Sequence, residues 1–80
     1  MGWFGSSNDV DREDIKRQIS DLERDLRDTE YWFNKACDEL NNAEKREDSD
    51  SARRWDDLAY NYKNKIDDIK SYIRDLEREL

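Results

Sequence analysis

The sequence predicts an all-α protein, a two-helix antiparallel coiled-coil hairpin suited to pairing into a four-helix bundle. Two observations carry this reading. Apolar residues recur in alternating steps of four and three along both halves of the chain, and a short polar segment without any core residue separates the halves. A third observation ties the halves together. If the chain folds back between Glu47 and Asp48, Leu40 meets Trp55, Ala36 meets Ala59, Phe33 meets Tyr62 and Thr29 meets Ile66. The same fold-back point continues the pairing through Leu26–Ile69, Leu22–Ile73 and Ile19–Leu76 to Ile15–Leu80. One turn position thus matches both stripes layer by layer, which an unstructured chain has no reason to do.

Residues 1–9 form an aromatic segment, "MGWFGSSND", read as flexible because both glycines of the chain, Gly2 and Gly5, lie in it. Helix 1 is expected over 10–46. Val10, Asp11, Asp14 and Ile15 have the spacing of a hydrophobic staple and capping box, with Asp11 as N-cap, or Asn8 or Asp9 if the helix begins earlier. A turn follows at 47–50, where Asp50 or Ser49 would cap the next helix by accepting its free N–H groups. Helix 2 is expected over 51–80, and Leu80 is read as the last core layer. Ala36–Ala59 and Ala43–Ala52 are narrow layers alternating with the wide Phe33–Tyr62 and Leu40–Trp55. At the e positions Lys16 would face Glu77, Glu23 would face Lys70, and Glu30 would face Lys63. These opposite-signed pairs specify register more than stability. Within helix 1, Glu13–Arg17 and Glu23–Arg27 have the favourable i,i+4 order.

The g flank has a different character. It carries Trp32, Leu58 and Tyr72, with Lys65 expected opposite Trp32. These residues either widen the hairpin's own core, helped by a cation–π contact between Lys65 and Trp32, or form a contact surface for a protein partner or a second copy. Trp32, Leu58, Tyr72 and Lys65 are therefore the candidate partner-binding residues. Tyr31 and Tyr60 fall on outer positions and read as single exposed tyrosines. Cys37, the one cysteine, reads as a semi-buried residue beside Asp56.

Composition excludes several chemistries. The chain has 80 residues, enough for one domain, with 46% charged and 34% hydrophobic residues. Acidic residues number 22 against 15 basic, for a formal net charge of −7. That balance opposes direct binding to nucleic acid, where Lys and Arg must neutralise phosphate. Without histidine, the commonest general base and zinc ligand is missing. There is no glycine-rich phosphate loop, and a single cysteine provides no metal-binding pair. Glu47, Asp48 and Asp50 lack the EF-hand pattern and are read as capping groups. Asp14, Asp21 and Asp28 recur on one face, but Arg17, Arg24 and Arg27 lie among them. The sequence is therefore read as non-enzymatic, with no cofactor and no metal.

Three roles are expected for the head of the chain. Trp3 and Phe4 would cover the open end of the hairpin, or anchor in a membrane interface or a partner's pocket. Gly2 and Ser6 also satisfy the M-G-x-x-x-[ST] pattern, which makes Gly2 a candidate lipidation site. No apolar run approaches a membrane span and no secretory signal is recognised, so a cytoplasmic location, peripheral at a membrane if the N-terminus inserts, is expected. The leading functional expectation is an interaction or scaffold module that self-associates or docks on a protein. The alternatives are a peripheral membrane protein anchored by Trp3 and Phe4, and a small viral- or phage-type acidic inhibitor of a nucleic-acid-binding protein.

Overall fold

The computed structural model describes residues 2–80, with side chains from Asp11 onward. It contains two helices, α1 (Gly2–Lys45) and α2 (Ser49–Arg78), packed on each other as an all-α helical hairpin. The molecule is a rod of 69 × 14 × 12 Å. The length of α1 accounts for the long axis, since its 44 residues at about 1.5 Å each span about 66 Å.

The alternating stripe is the one the fold covers. On α1 every stripe position from Ile15 to Ala43 is buried or half-buried, and on α2 every position from Ala52 to Leu76. The most fully enclosed apolar residues are Ala36, Ala43, Ala59, Ile66 and Ile69. Thr29 is buried among them without an orphaned hydroxyl, because its Oγ1 donates to the Asp25 carbonyl at 2.7 Å. That local bond resolves the cost of placing a polar atom in a core layer.

The connection is tighter than the expected 47–50 turn. It takes only Arg46, Glu47 and Asp48, and α2 begins at Ser49 rather than residue 51. The Asp48 amide donates to the Ala43 carbonyl at 2.9 Å and the Glu47 amide to the Glu44 carbonyl at 3.0 Å. These two bonds form a Schellman motif, in which the residue after the helix adopts the left-handed conformation. Glu47 takes that position, with φ 57°. The N-cap of α2 is Asp48, neither Ser49 nor Asp50. Its Oδ1 accepts from the Ser51 amide at 3.2 Å and its Oδ2 from the Ser51 hydroxyl at 2.8 Å. Ser51, three residues on, supplies both a main-chain and a hydroxyl donor to the carboxylate, so the earlier cap wins.

Both chain ends also depart from expectation. Helix α1 runs through Asp11 to Gly2, so Asp11 is an interior helical residue and not a cap. The side chains of Trp3 and Phe4, like that of Gly2's neighbour Met1, lie outside the described residues, as do the readings that rest on them. At the other end, α2 stops at Arg78, and Leu80 leaves the stripe with 43% of its surface exposed. The last layer is therefore closed by Leu76, not by Leu80. The Leu80 carbonyl instead accepts a hydrogen bond from Arg12 Nη2 at 3.3 Å, joining the chain end to α1.

Among the described residues, only two ion pairs form within the helices, Lys16–Glu13 at 3.9 Å and Arg78–Asp75 at 3.8 Å. The expected cross-helix pairs Lys16–Glu77, Glu23–Lys70 and Glu30–Lys63 are not made, nor are Glu13–Arg17 and Glu23–Arg27. Exposed ion pairs gain little in water and must order two long side chains. For Lys16 the neighbour one turn back is the easier partner.

The turn generates two predictions. A non-glycine residue in the left-handed region costs about 1 kcal/mol, and a carboxylate beside a helix C-terminus opposes the dipole. Glu47→Gly should raise stability by about 0.5–1 kcal/mol, or about 3–6 °C in Tm for a domain of this size, measured by thermal circular dichroism. An unchanged or lower Tm would show that the turn does not hold Glu47 at positive φ. The second concerns pH. The bonds from the Ser51 hydroxyl and amide, with smaller help from Arg46 and Arg54, hold the Asp48 carboxyl below the ordinary aspartate range. A depressed folded-state value favours the ionised form. This cap's contribution is therefore complete above the unfolded-state value and fades as pH falls below about 4. The Tm difference between the wild type and Asp48→Asn should be largest at neutral pH and shrink toward pH about 2.5. A difference that stays constant over that range would rule out the charged cap.

Candidate protein-interaction surface

The g positions emerge on one long edge of the rod. Trp32 is 49% exposed, Leu58 40% and Tyr72 64%, while the stripe beside them is covered. These residues therefore do not widen the hairpin's own core. They remain outside it, on the edge where sequence analysis placed a contact surface.

The surroundings of Trp32 differ from expectation in a specific way. The cation over its ring is Lys35 Nζ, 5.8 Å from the centroid, rather than Lys65. Lys35 lies three residues on, one turn along the same helix, and reaches the ring without crossing to α2. Tyr31, read from the sequence as an isolated exposed residue, packs edge-on against Trp32 with ring centroids 5.3 Å apart and planes at 80°. That pair enlarges the aromatic patch around the helix toward its outer face. Adjacency along the chain was no signal for it, because consecutive helix residues point about 100° apart and meet only when long side chains lean together.

A second feature was not apparent in the heptad pattern. Leu22 and Leu76, assigned to the core, are only half-buried, and with Gln18, Asp21 and Tyr72 they line an open trough of about 470 Å³. The trough brings together the two g flanks, because Gln18 of α1 and Tyr72 of α2 border the same depression. Lys65 is exposed on the same edge. Near the turn, Glu39 is half-buried, and on the opposite flank Cys37 is a half-buried free thiol.

Among the described residues, no group of His, Cys, Asp or Glu is arranged to hold a metal ion, and no helix is long and apolar enough to cross a membrane. Every buried side-chain polar atom among the described residues has a hydrogen-bond partner. Compared with known proteins, the chain matches no family model, no curated protein and no solved structure.

This arrangement predicts a division between stability and surface. Trp32→Ala, Leu58→Ala and Tyr72→Ala should each change the free energy of unfolding by about 1 kcal/mol or less. Ile66→Ala removes a residue only 8% exposed and should cost about 2–4 kcal/mol. Urea melts monitored by circular dichroism compare the four. A loss at Trp32 or Tyr72 equal to that at Ile66 would assign them to the core after all.

Proposed function

We propose that this chain is a non-enzymatic protein–protein interaction or scaffold module, an acidic coiled-coil hairpin that docks on a protein partner or on a second copy through the Trp32/Leu58/Tyr72 edge. The observation that carries the reading is the exposure of these three residues, at 49%, 40% and 64%, beside a stripe that the hairpin covers. Large aromatic residues in water are the groups that dominate interface energetics once a partner desolvates them. A helical pair presents them on an already ordered backbone, so only their side chains remain to be ordered on binding. The alternation of small and large layers supports the coiled-coil part of the reading, because Ala36, Ala43 and Ala59 are enclosed where the two helices must approach closely.

The reading predicts an association that the triple variant Trp32→Ala/Leu58→Ala/Tyr72→Ala loses while keeping the helical circular dichroism of the wild type. Two measurements register it. Light scattering over a wide concentration range detects a second copy, and retention of proteins from a lysate of the source cells detects another partner. If both forms stay monomeric and retain the same proteins, the edge is not an interaction surface.

A further inference from the structure

Tyr72 stands between two depressions on the g flank. On one side it lines the 470 Å³ trough with Gln18, Asp21, Leu22 and Leu76. On the other it lines a hollow of about 400 Å³ with Asp68, Ser71 and Asp75. An apolar floor thus lies open to water with a carboxylate on each rim.

The charge around this floor is one-sided. From Asp11 to Asp28 on α1 and from Asp68 to Glu79 on α2, no g or c position holds a Lys or Arg. Those positions are acidic except for Gln18 and Tyr72. The opposite flank mixes signs, with Lys16, Arg27, Lys63, Lys70 and Arg74 among its carboxylates. Arg17 and Arg24 run along the outer edge. Among the described residues, the acidic positions of this flank have one ion pair, Asp75 with Arg78, exposed and 3.8 Å long.

Charge decides which occupant fits. A second copy meeting this face about a two-fold axis would set carboxylates against carboxylates, within a Debye length of about 8–10 Å. Anionic lipid and nucleic acid are repelled for the same reason. A cationic protein segment with an apolar side meets both features of the floor and rim. We propose that the Tyr72 trough docks a basic amphipathic helix of another protein. An apolar anchor residue seats against Leu22, Leu76 and Tyr72, and flanking Lys or Arg side chains pair with Asp21, Asp68 and Asp75. The inference rests on reading this flank as an interaction surface and adds the chemistry of the partner.

Calorimetric titration of the full chain with a helical peptide of about 18 Leu and Lys residues, five turns long, tests it against an isomer carrying Glu in place of Lys. The Leu/Lys peptide should bind one per hairpin, at least about tenfold tighter than the Leu/Glu peptide, and should weaken about tenfold when salt is raised from about 50 to about 300 mM. Asp21→Asn/Asp68→Asn/Asp75→Asn should lose about tenfold, as should Tyr72→Ala. Glu23→Gln/Glu30→Gln/Glu77→Gln, which removes equal charge from the other flank, should lose less than about twofold. Circular dichroism verifies that each variant stays helical. Equal weakening by the two neutralised triples would reduce the effect to diffuse attraction and overturn the site. So would failure of the Leu/Lys peptide to bind. If that failure comes with a dimer that Tyr72→Ala dissociates, the flank is an interface between copies, and the basic partner falls while the interaction reading stands. If no association of any kind responds to Trp32, Leu58 or Tyr72, both fall.

Discussion

The structure depends on the position of one residue, Asp48. Its amide closes α1 through the Ala43 carbonyl, and its carboxylate opens α2 through Ser51. The two helices therefore share a single terminal residue, and no slack remains between them. With the turn fixed, each stripe residue of α1 has one counterpart on α2, and a slip by one heptad would need a different turn. The hydrogen bonding of the turn fixes where α2 starts relative to α1, and the covered stripes pack the two helices together.

That constraint fixes what the hairpin leaves uncovered. Two helices bury one stripe each, and the seam is closed most fully in its middle and toward the turn, at Thr29, Ala36, Ala43, Ala59, Ile66 and Ile69. Toward the open end the layers are Ile, Leu and Ile, the helices present Gln18 and Asp21 beside them, and Leu22 and Leu76 stay half-buried. The exposed Trp32 and Tyr72 lie along the same edge. Trp32, Leu58 and Tyr72 thus share one flank, while Tyr31 and Tyr60 stand on the outer face and the opposite flank among charged residues, and a partner on the first flank would extend the core sideways, as hairpins do in larger bundles.

How much of this the sequence carried differs by element. The stripe was legible because burial on a helix imposes a period, and nearly every position it named is covered, Thr29 included. The turn was legible as a place but not as a geometry. Without glycine the left-handed residue had no marker, and the choice of Asp48 over Ser49 or Asp50 rests on the two Ser51 donors that its carboxylate receives. Leu80 was misread because the period continues in the sequence where the helix does not. Charge pairs were the least legible feature. Lys16 has several carboxylates within reach of its flexible stem, and pattern alone does not select Glu13 over Glu77. The exposure of Trp32, Leu58 and Tyr72 was one of two outcomes the g flank allowed, and three-dimensional packing was needed to separate them.

Charge segregation arises from the fold itself. Along the chain, acidic and basic residues alternate closely enough to look compensated, and Asp14, Asp21 and Asp28 each have an arginine within a few residues. Folding back changes their company. An antiparallel hairpin sets g and c positions of α1 beside g and c positions of α2, so toward the open end two acidic rows add on one flank, while Lys35, Arg54 and Lys65 of the same flank lie nearer the turn and the lysines at e and the arginines at b collect on the other. The open trough lies in the acidic half. Because potential from neighbouring charges sums while local ion pairs in water stay weak, this flank keeps a negative field over an apolar floor. The same fold-back that brings the two stripes together therefore also sets the sign of charge around Tyr72.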